Sequence, residues 1–190
     1  MKILLVLFIL LFILTSGING TTEINFFPKA LAKDVSGTRK IVASELNELK
    51  MKATTLESGK FFQLNVETEY PFVYVGRVTC CRAGGCDLKK GSFNLQQSEY
   101  FDYYILFNKN GDVAKVKVFD YRATHGQEIS VAGWLKQFVG YAGNESLQVG
   151  KNIDAISGAT ISTNAIAFDV EAKTRLIKMH LAESNLQTLN

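Results

Sequence analysis

Three cysteines and two histidines are all that this 190-residue sequence offers of the residue types that most often hold transition metals. The cysteines stand together as Cys80, Cys81 and Cys86, with no fourth thiol and no histidine nearby, so a closed four-ligand zinc site is not expected. No Cys-x-x-Cys-His occurs, which argues against covalently attached haem. Formal net charge is only +3 and no dense run of Lys and Arg appears, so nucleic acid is not an expected partner. Long repeats and low-complexity runs are absent as well, which sets aside a repeat architecture. What remains is ordinary for a globular protein, with 47% hydrophobic and 21% charged residues and enough chain for one domain with its own core.

The N-terminus departs from that average. Met1-Lys2 is a short basic start, and residues 3–14 form an unbroken apolar run. Small residues follow at Ser16, Gly17 and Gly20. This is the pattern of a secretory signal peptide over residues 1–20, cut near Gly17 or Gly20. The run falls short of the roughly 20 apolar residues a membrane-spanning helix needs. No cysteine follows it directly, so a lipid-anchored form is not expected. The mature chain is therefore expected to be exported, in the periplasm or on the outer face of the cytoplasmic membrane, where disulfides are permitted.

Residues 21–35 read as an extended arm, with Phe26, Phe27 and Pro28 docking on the core. Residues 40–50 carry an imperfect apolar stripe (Ile41, Leu46, Leu49) that predicts a helix. From Phe61 the period changes to that of strands, over residues 61–66 and 71–79. Gly76 inside the second marks a bulge or a close backbone approach. Residues 99–107 and 113–121 predict two further strands joined at Asn110-Gly111, the strongest hairpin signal in the chain. After a polar connection at His125, Gly126, Gln127 and Glu128, a short helix starts at Ser130. Val131, Trp134, Leu135 and Phe138 share one of its faces, as core or as a stacking platform. A long helix is expected over residues 162–182. Ala165, Phe168, Ala172, Leu176 and Met179 form its apolar stripe, with Asp169–Lys173 and Glu171–Arg175 ion pairs on its outer side. The order of elements predicts an α+β fold, an antiparallel sheet with helices packed on one face and the long helix last.

That last helix opens from a stretch unlike the rest: Asp154, Ala155, Ile156, Ser157, Gly158, Ala159, Thr160, Ile161, Ser162, Thr163. It is small, rich in hydroxyls and contains a glycine. Ser157, Thr160, Ser162 and Thr163 are each a nucleophile or a helix cap by residue type. A helix start carries unbonded N–H groups and partial positive charge, which suits a phosphate. On these grounds alone a hydroxyl meets a phosphate here.

The same stretch, Asp-x-x-Ser-Gly-Ala-Thr followed by a Ser/Thr-rich helix start, resembles the motif of bacterial FMN-binding domains, and the likeness extends over roughly residues 71–181. Such domains occur in the C subunit of sodium-pumping NADH:quinone oxidoreductase, in the G subunit of the Rnf complex and in small exported flavoproteins. The resemblance implies a domain over residues 61–190, preceded by the leader and by the arm and helix of residues 21–60. It implies FMN bound covalently, through a phosphodiester to Thr160, installed by a dedicated flavin transferase. Asp154 would belong to the sequence the transferase recognises, and Gly158 and Ala159 would let it approach. The amides of Ile161, Ser162 and Thr163 would hold phosphate oxygens, and His125, Gly126, Gln127 and Glu128 would lie near the flavin ring. The implied activity is electron carriage between membrane or periplasmic redox partners rather than that of a stand-alone enzyme.

The cysteine cluster lies outside this pattern. If the segment is extended, Cys80 and Cys81 point to opposite faces and only one of them reaches Cys86. Cys81–Cys86 is the expected disulfide. A thiol–disulfide module using that pair, and a non-catalytic domain binding FMN reversibly, are the alternative functions.

Overall fold

The computed structural model describes residues 23–36, 41–46, 58–65, 67–82 and 98–187. Five strands form one antiparallel sheet in chain order: β1 (Ala43–Glu45), β2 (Ser58–Leu64), β3 (Phe72–Arg82), β4 (Ser98–Phe107) and β5 (Val113–Tyr121). Strand β4, flanked by β3 and β5, is buried on both sides from Phe101 to Phe107. This is why its sequence is nearly continuous in apolar and aromatic residues instead of alternating. The β4–β5 hairpin turns as its Asn-Gly pair predicts. The side-chain oxygen of Asn108 accepts the amides of Asn110 and Asp112, each at 2.9 Å, and Gly111 takes a left-handed φ of 77°.

One face of the sheet presents Phe61, Tyr74, Tyr103, Ile105 and Val116 to the C-terminal helices. These are a 3-10 turn (Gln127–Ser130), the one-turn helix α2 (Ala132–Leu135), a second 3-10 turn (Lys136–Phe138) and the long helix α3 (Thr160–Gln187). We label the helix before them α1 (Lys29–Ser36); its Leu31 is fully buried with Phe62, Val73 and Leu106 on the opposite face. The α+β class and the long last helix are as expected from sequence.

Four expectations are corrected. The arm of residues 21–35 includes α1, which starts after Pro28 with the amides of Leu31 and Ala32 on the Pro28 carbonyl; a proline's fixed φ favours such a start. Within the helix expected over residues 40–50, residues 43–45 are a strand. Ala43 pairs with Leu64 and Glu45 with Phe62, because pairing with β2 outweighs weak helical spacing. The short helix is broken into three pieces. Val131 is exposed while Leu135 and Phe138 are core, so the four apolar side chains do not share a buried face.

The fourth correction concerns α3. Its buried side is Ile166, Val170, Lys173 and Ile177, while Phe168 is 71% exposed and Met179 half exposed. Apolar residues lie on both sides of this helix, so spacing alone does not identify the side that meets the sheet. Asp169 and Lys173 are buried, not outward. Their ion pair is 2.9 Å, the Tyr103 hydroxyl donates to the other Asp169 oxygen, and the ammonium lies 5.0 Å from the Tyr74 ring centre. Arg175 does lie outside, paired to Glu171 at 2.8 Å.

Gly76 marks a close approach. It is paired with Gly59 across β2 and β3, and a Cβ on either would fall within 2.2 Å of the Tyr74 hydroxyl oxygen. The ring occupies the space that the two glycines leave. The β3–β4 ladder shifts register between Thr79 and Cys81. The side chains of Cys80 and Cys81, all of Cys86, and the Cys81–Cys86 expectation with them lie outside the described residues.

Candidate functional site

Upstream of the motif the chain makes a tight turn. The Gln148 carbonyl accepts the amides of Lys151, Asn152 and Ile153, and Ile153 buries itself in the core. Asp154 is then held at both backbone groups. Its amide donates to the Gln137 side chain at 2.7 Å, and its carbonyl accepts the Trp134 indole N–H at 2.9 Å. Gln137 in turn donates to the Trp134 carbonyl at 3.1 Å. Trp134 therefore pins the motif with its polar edge while its ring meets Phe138 edge-on at 5.4 Å. Phe138 is fully buried and is core, not a platform for a ligand.

A four-residue turn follows, closed by the Ala159 amide on the Ile156 carbonyl at 3.1 Å. Gly158 sits at its third position with φ 80°, which an L side chain rarely adopts. Apart from Gly158 itself and its two chain neighbours, no atom lies within 4 Å of where a Gly158 Cβ would be, so the approach to this point is open. Ala159 is buried, and α3 begins at Thr160.

The four motif hydroxyls are sorted by this geometry. Ser162 and Thr163 are buried, whereas Ser157 and Thr160 are exposed. The Thr163 hydroxyl is committed to the carbonyls of Ala159 and Thr160, at 3.1 and 2.9 Å. Its amide donates to Ala159 at 2.9 Å, so it is the first intrahelical donor and is not open to a phosphate. The amides of Thr160, Ile161 and Ser162 precede that bond and have no carbonyl to reach within the helix. With the positive end of a 28-residue helix behind them, they suit an anion.

The polar loop is brought to the same place. The Tyr121 hydroxyl, at the end of β5, donates to the His125 carbonyl at 2.5 Å and lies 3.0 Å from the Ser162 hydroxyl. Its ring stacks on Phe101. Gly126 is buried against this pair with φ 88°, and a Cβ there would stand 2.8 Å from Ser162 Oγ and 3.0 Å from Tyr121 Oη. Ile129 is fully buried and anchors the far side of the loop. His125, Gln127 and Glu128 are exposed beside the start of α3. The loop thus meets the motif at Ser162, two residues after Thr160.

Three contributors are not apparent from sequence. Tyr121 bridges the loop to a residue 41 positions away, Gln137 clamps Asp154 from 17 positions away, and Trp134 acts through its N–H. No local signal marks Tyr121 or Gln137; a lone tryptophan near a polar turn is a weak one.

An exposed threonine hydroxyl beside three unbonded helix amides fits the terminal phosphate of a mononucleotide. No curated protein matches the chain. Residues 100–172, which take in β4, β5, the loop, the motif and the first half of α3, match the family model of the FMN-binding domain.

Proposed function

We propose that the protein is an exported electron-transfer flavoprotein whose FMN is joined through a phosphodiester to Thr160. The observation that carries this reading is the sorting of the hydroxyls: Thr160 is the exposed one in the first turn of α3, and Ser162 and Thr163 are shut in. Ser157 is exposed too, but it precedes the helix and its amides. Asp154 stands outward with its backbone clamped, which suits a recognition residue for a flavin transferase. The amides of Thr160, Ile161 and Ser162 hold the phosphate, and the loop from His125 to Glu128 flanks the ring. Bound FMN supplies the redox chemistry; the chain supplies position and shielding. The basic, then apolar N-terminus supports export, and export favours a tethered cofactor that is not lost by dissociation. The electron donor and acceptor are membrane-bound or periplasmic redox proteins.

The test is covalent loading. The full chain is produced with its flavin transferase, denatured in SDS and viewed for flavin fluorescence in the gel. Fluorescent wild type and dark Thr160→Ala are the expected pair. A fluorescent Thr160→Ala with a dark Ser157→Ala moves the attachment point. A dark wild type that still binds FMN in solution leaves a reversible FMN-binding domain in its place.

A further inference from the structure

The outer side of α3 carries a second pattern that neither the sheet nor the flavin surface uses. Ile161, Phe168, Met179 and Leu186 are 45, 71, 51 and 64% exposed. They are four of the eight large apolar side chains exposed among the described residues. At 3.6 residues per turn, their spacing of seven, eleven and seven puts them within about 20° of one line along the helix. That line runs opposite Val170 and Ile177, which face the sheet. Ala172 lies on the same side between them.

The spacing reads the same from either end. Turned end for end about the point between Lys173 and Thr174, Ile161 falls on Leu186 and Phe168 on Met179. Ala165 falls on Ala182, and Ala172 on Arg175. A surface that is its own complement under a two-fold rotation is what an isologous dimer requires. The charges agree, since Arg175 comes beside Ala172 of the second copy, next to that copy's Glu171. The four exposed side chains amount to roughly 500 Å² of apolar surface per copy, so a pair buries about 1,000 Å², where specific interfaces begin. A lipid surface fits less well. Lys178 on the flank is drawn to Asp112 at 2.5 Å rather than left free for acidic headgroups.

We propose that the outer face of α3 is the two-fold interface of an antiparallel homodimer. The two Thr160 positions then lie at opposite ends of the paired helices, each beside the C-terminal end of the other copy's α3.

Sedimentation velocity on the mature full chain tests this, from about 1 to about 200 μM, a range that suits an interface at the small end of the specific class. Wild type is expected to pass from monomer to dimer across that range. Phe168→Lys and Met179→Glu, both at exposed positions and checked for fold by far-UV circular dichroism, are each expected to stay monomeric. Phe168→Lys and Met179→Glu combined in one chain are expected to restore the dimer, because the antiparallel register sets each lysine against a glutamate. A wild type monomeric throughout overturns the proposal. So does a dimer that survives Phe168→Lys, or a double variant that remains monomeric. Monomeric wild type that floats with phosphatidylethanolamine/phosphatidylglycerol vesicles, and loses this in Phe168→Lys, would assign the face to lipid instead.

Discussion

Asp169→Leu removes the carboxylate that faces Lys173 inside the core. Lys173 is 1% exposed, with its ammonium 2.9 Å from Asp169 and 5.0 Å from the Tyr74 ring centre. Taking away one member of a buried ion pair costs about 3–5 kcal/mol, because the remaining charge stays desolvated. Lys173→Met is expected to cost less, about 2–3 kcal/mol, since the Tyr103 hydroxyl still donates to Asp169. Asp169→Leu with Lys173→Met removes both charges and replaces them with apolar volume. That variant is expected within about 1–2 kcal/mol of wild type, so the two single losses do not add. Urea unfolding, read by far-UV circular dichroism and by the fluorescence of the single tryptophan, measures all four proteins. With a slope of about 2 kcal/mol per molar urea, Asp169→Leu should lower the midpoint by roughly 1.5–2.5 M. A double variant whose loss equals the sum of the singles would refute the coupling. An Asp169→Leu midpoint within a few tenths molar of wild type would refute the burial of the pair.

Three further perturbations test the frame around Thr160 and the opposite face of the sheet. Gly126→Ala puts a Cβ at φ 88° and 2.8 Å from Ser162 Oγ; it should cost about 1–2 kcal/mol and displace the loop. In flavin-loaded protein, visible circular dichroism should change while the SDS-gel band persists. An unchanged native spectrum would mean the loop does not flank the ring. Trp134→Phe combined with Gln137→Ala frees both backbone groups of Asp154, and the rate of covalent loading should fall severalfold with little change in unfolding midpoint, as followed by in-gel fluorescence over time. Burial alone would raise the Asp34 carboxyl, but hydrogen bonds from Lys115 and Tyr104 and the charges of Lys115 and Lys117 outweigh it and hold it below the ordinary value. A lowered folded pKa stabilises above about pH 4 and is lost as pH falls through the folded value. Asp34→Asn should therefore be less stable than wild type near neutrality, with the difference closing in acid. A difference that widens in acid would reverse the assignment.

The parts of the fold legible in the sequence are those fixed by neighbours in the chain. Asn108 to Asp112 specify their own turn through the Asn108 side chain and Gly111, so the β4–β5 hairpin follows from five residues. The segments that misled are those decided by partners elsewhere. Residues 43–45 have weak helical spacing but complete an edge with β2, and nothing local announces that edge. In α3 the two apolar lines are comparable, and Phe168 looks more like core than Lys173 does. The sheet decides otherwise because Tyr103 and Tyr74 offer the 169–173 pair a hydroxyl and a ring.

The candidate site divides in the same way. Ten consecutive residues announce the motif because a turn, a left-handed glycine and a helix start are local chemistry. Which hydroxyl is presented is not local. Ser162 and Thr163 are turned inward because α3 lies on the sheet, with Ser162 taken up by Tyr121 and Thr163 by the carbonyls of its own first turn. Thr160, two residues before Ser162 and so about 200° round the helix from it, is left outward by the same rotation. The buried line of α3 that carries the ion pair and the exposed line that carries Phe168 are thus set by one angle. That angle also sets the presentation of Thr160. A variant that rolls the helix should disturb covalent loading, core stability and self-association together, whereas substitutions confined to one line should separate them.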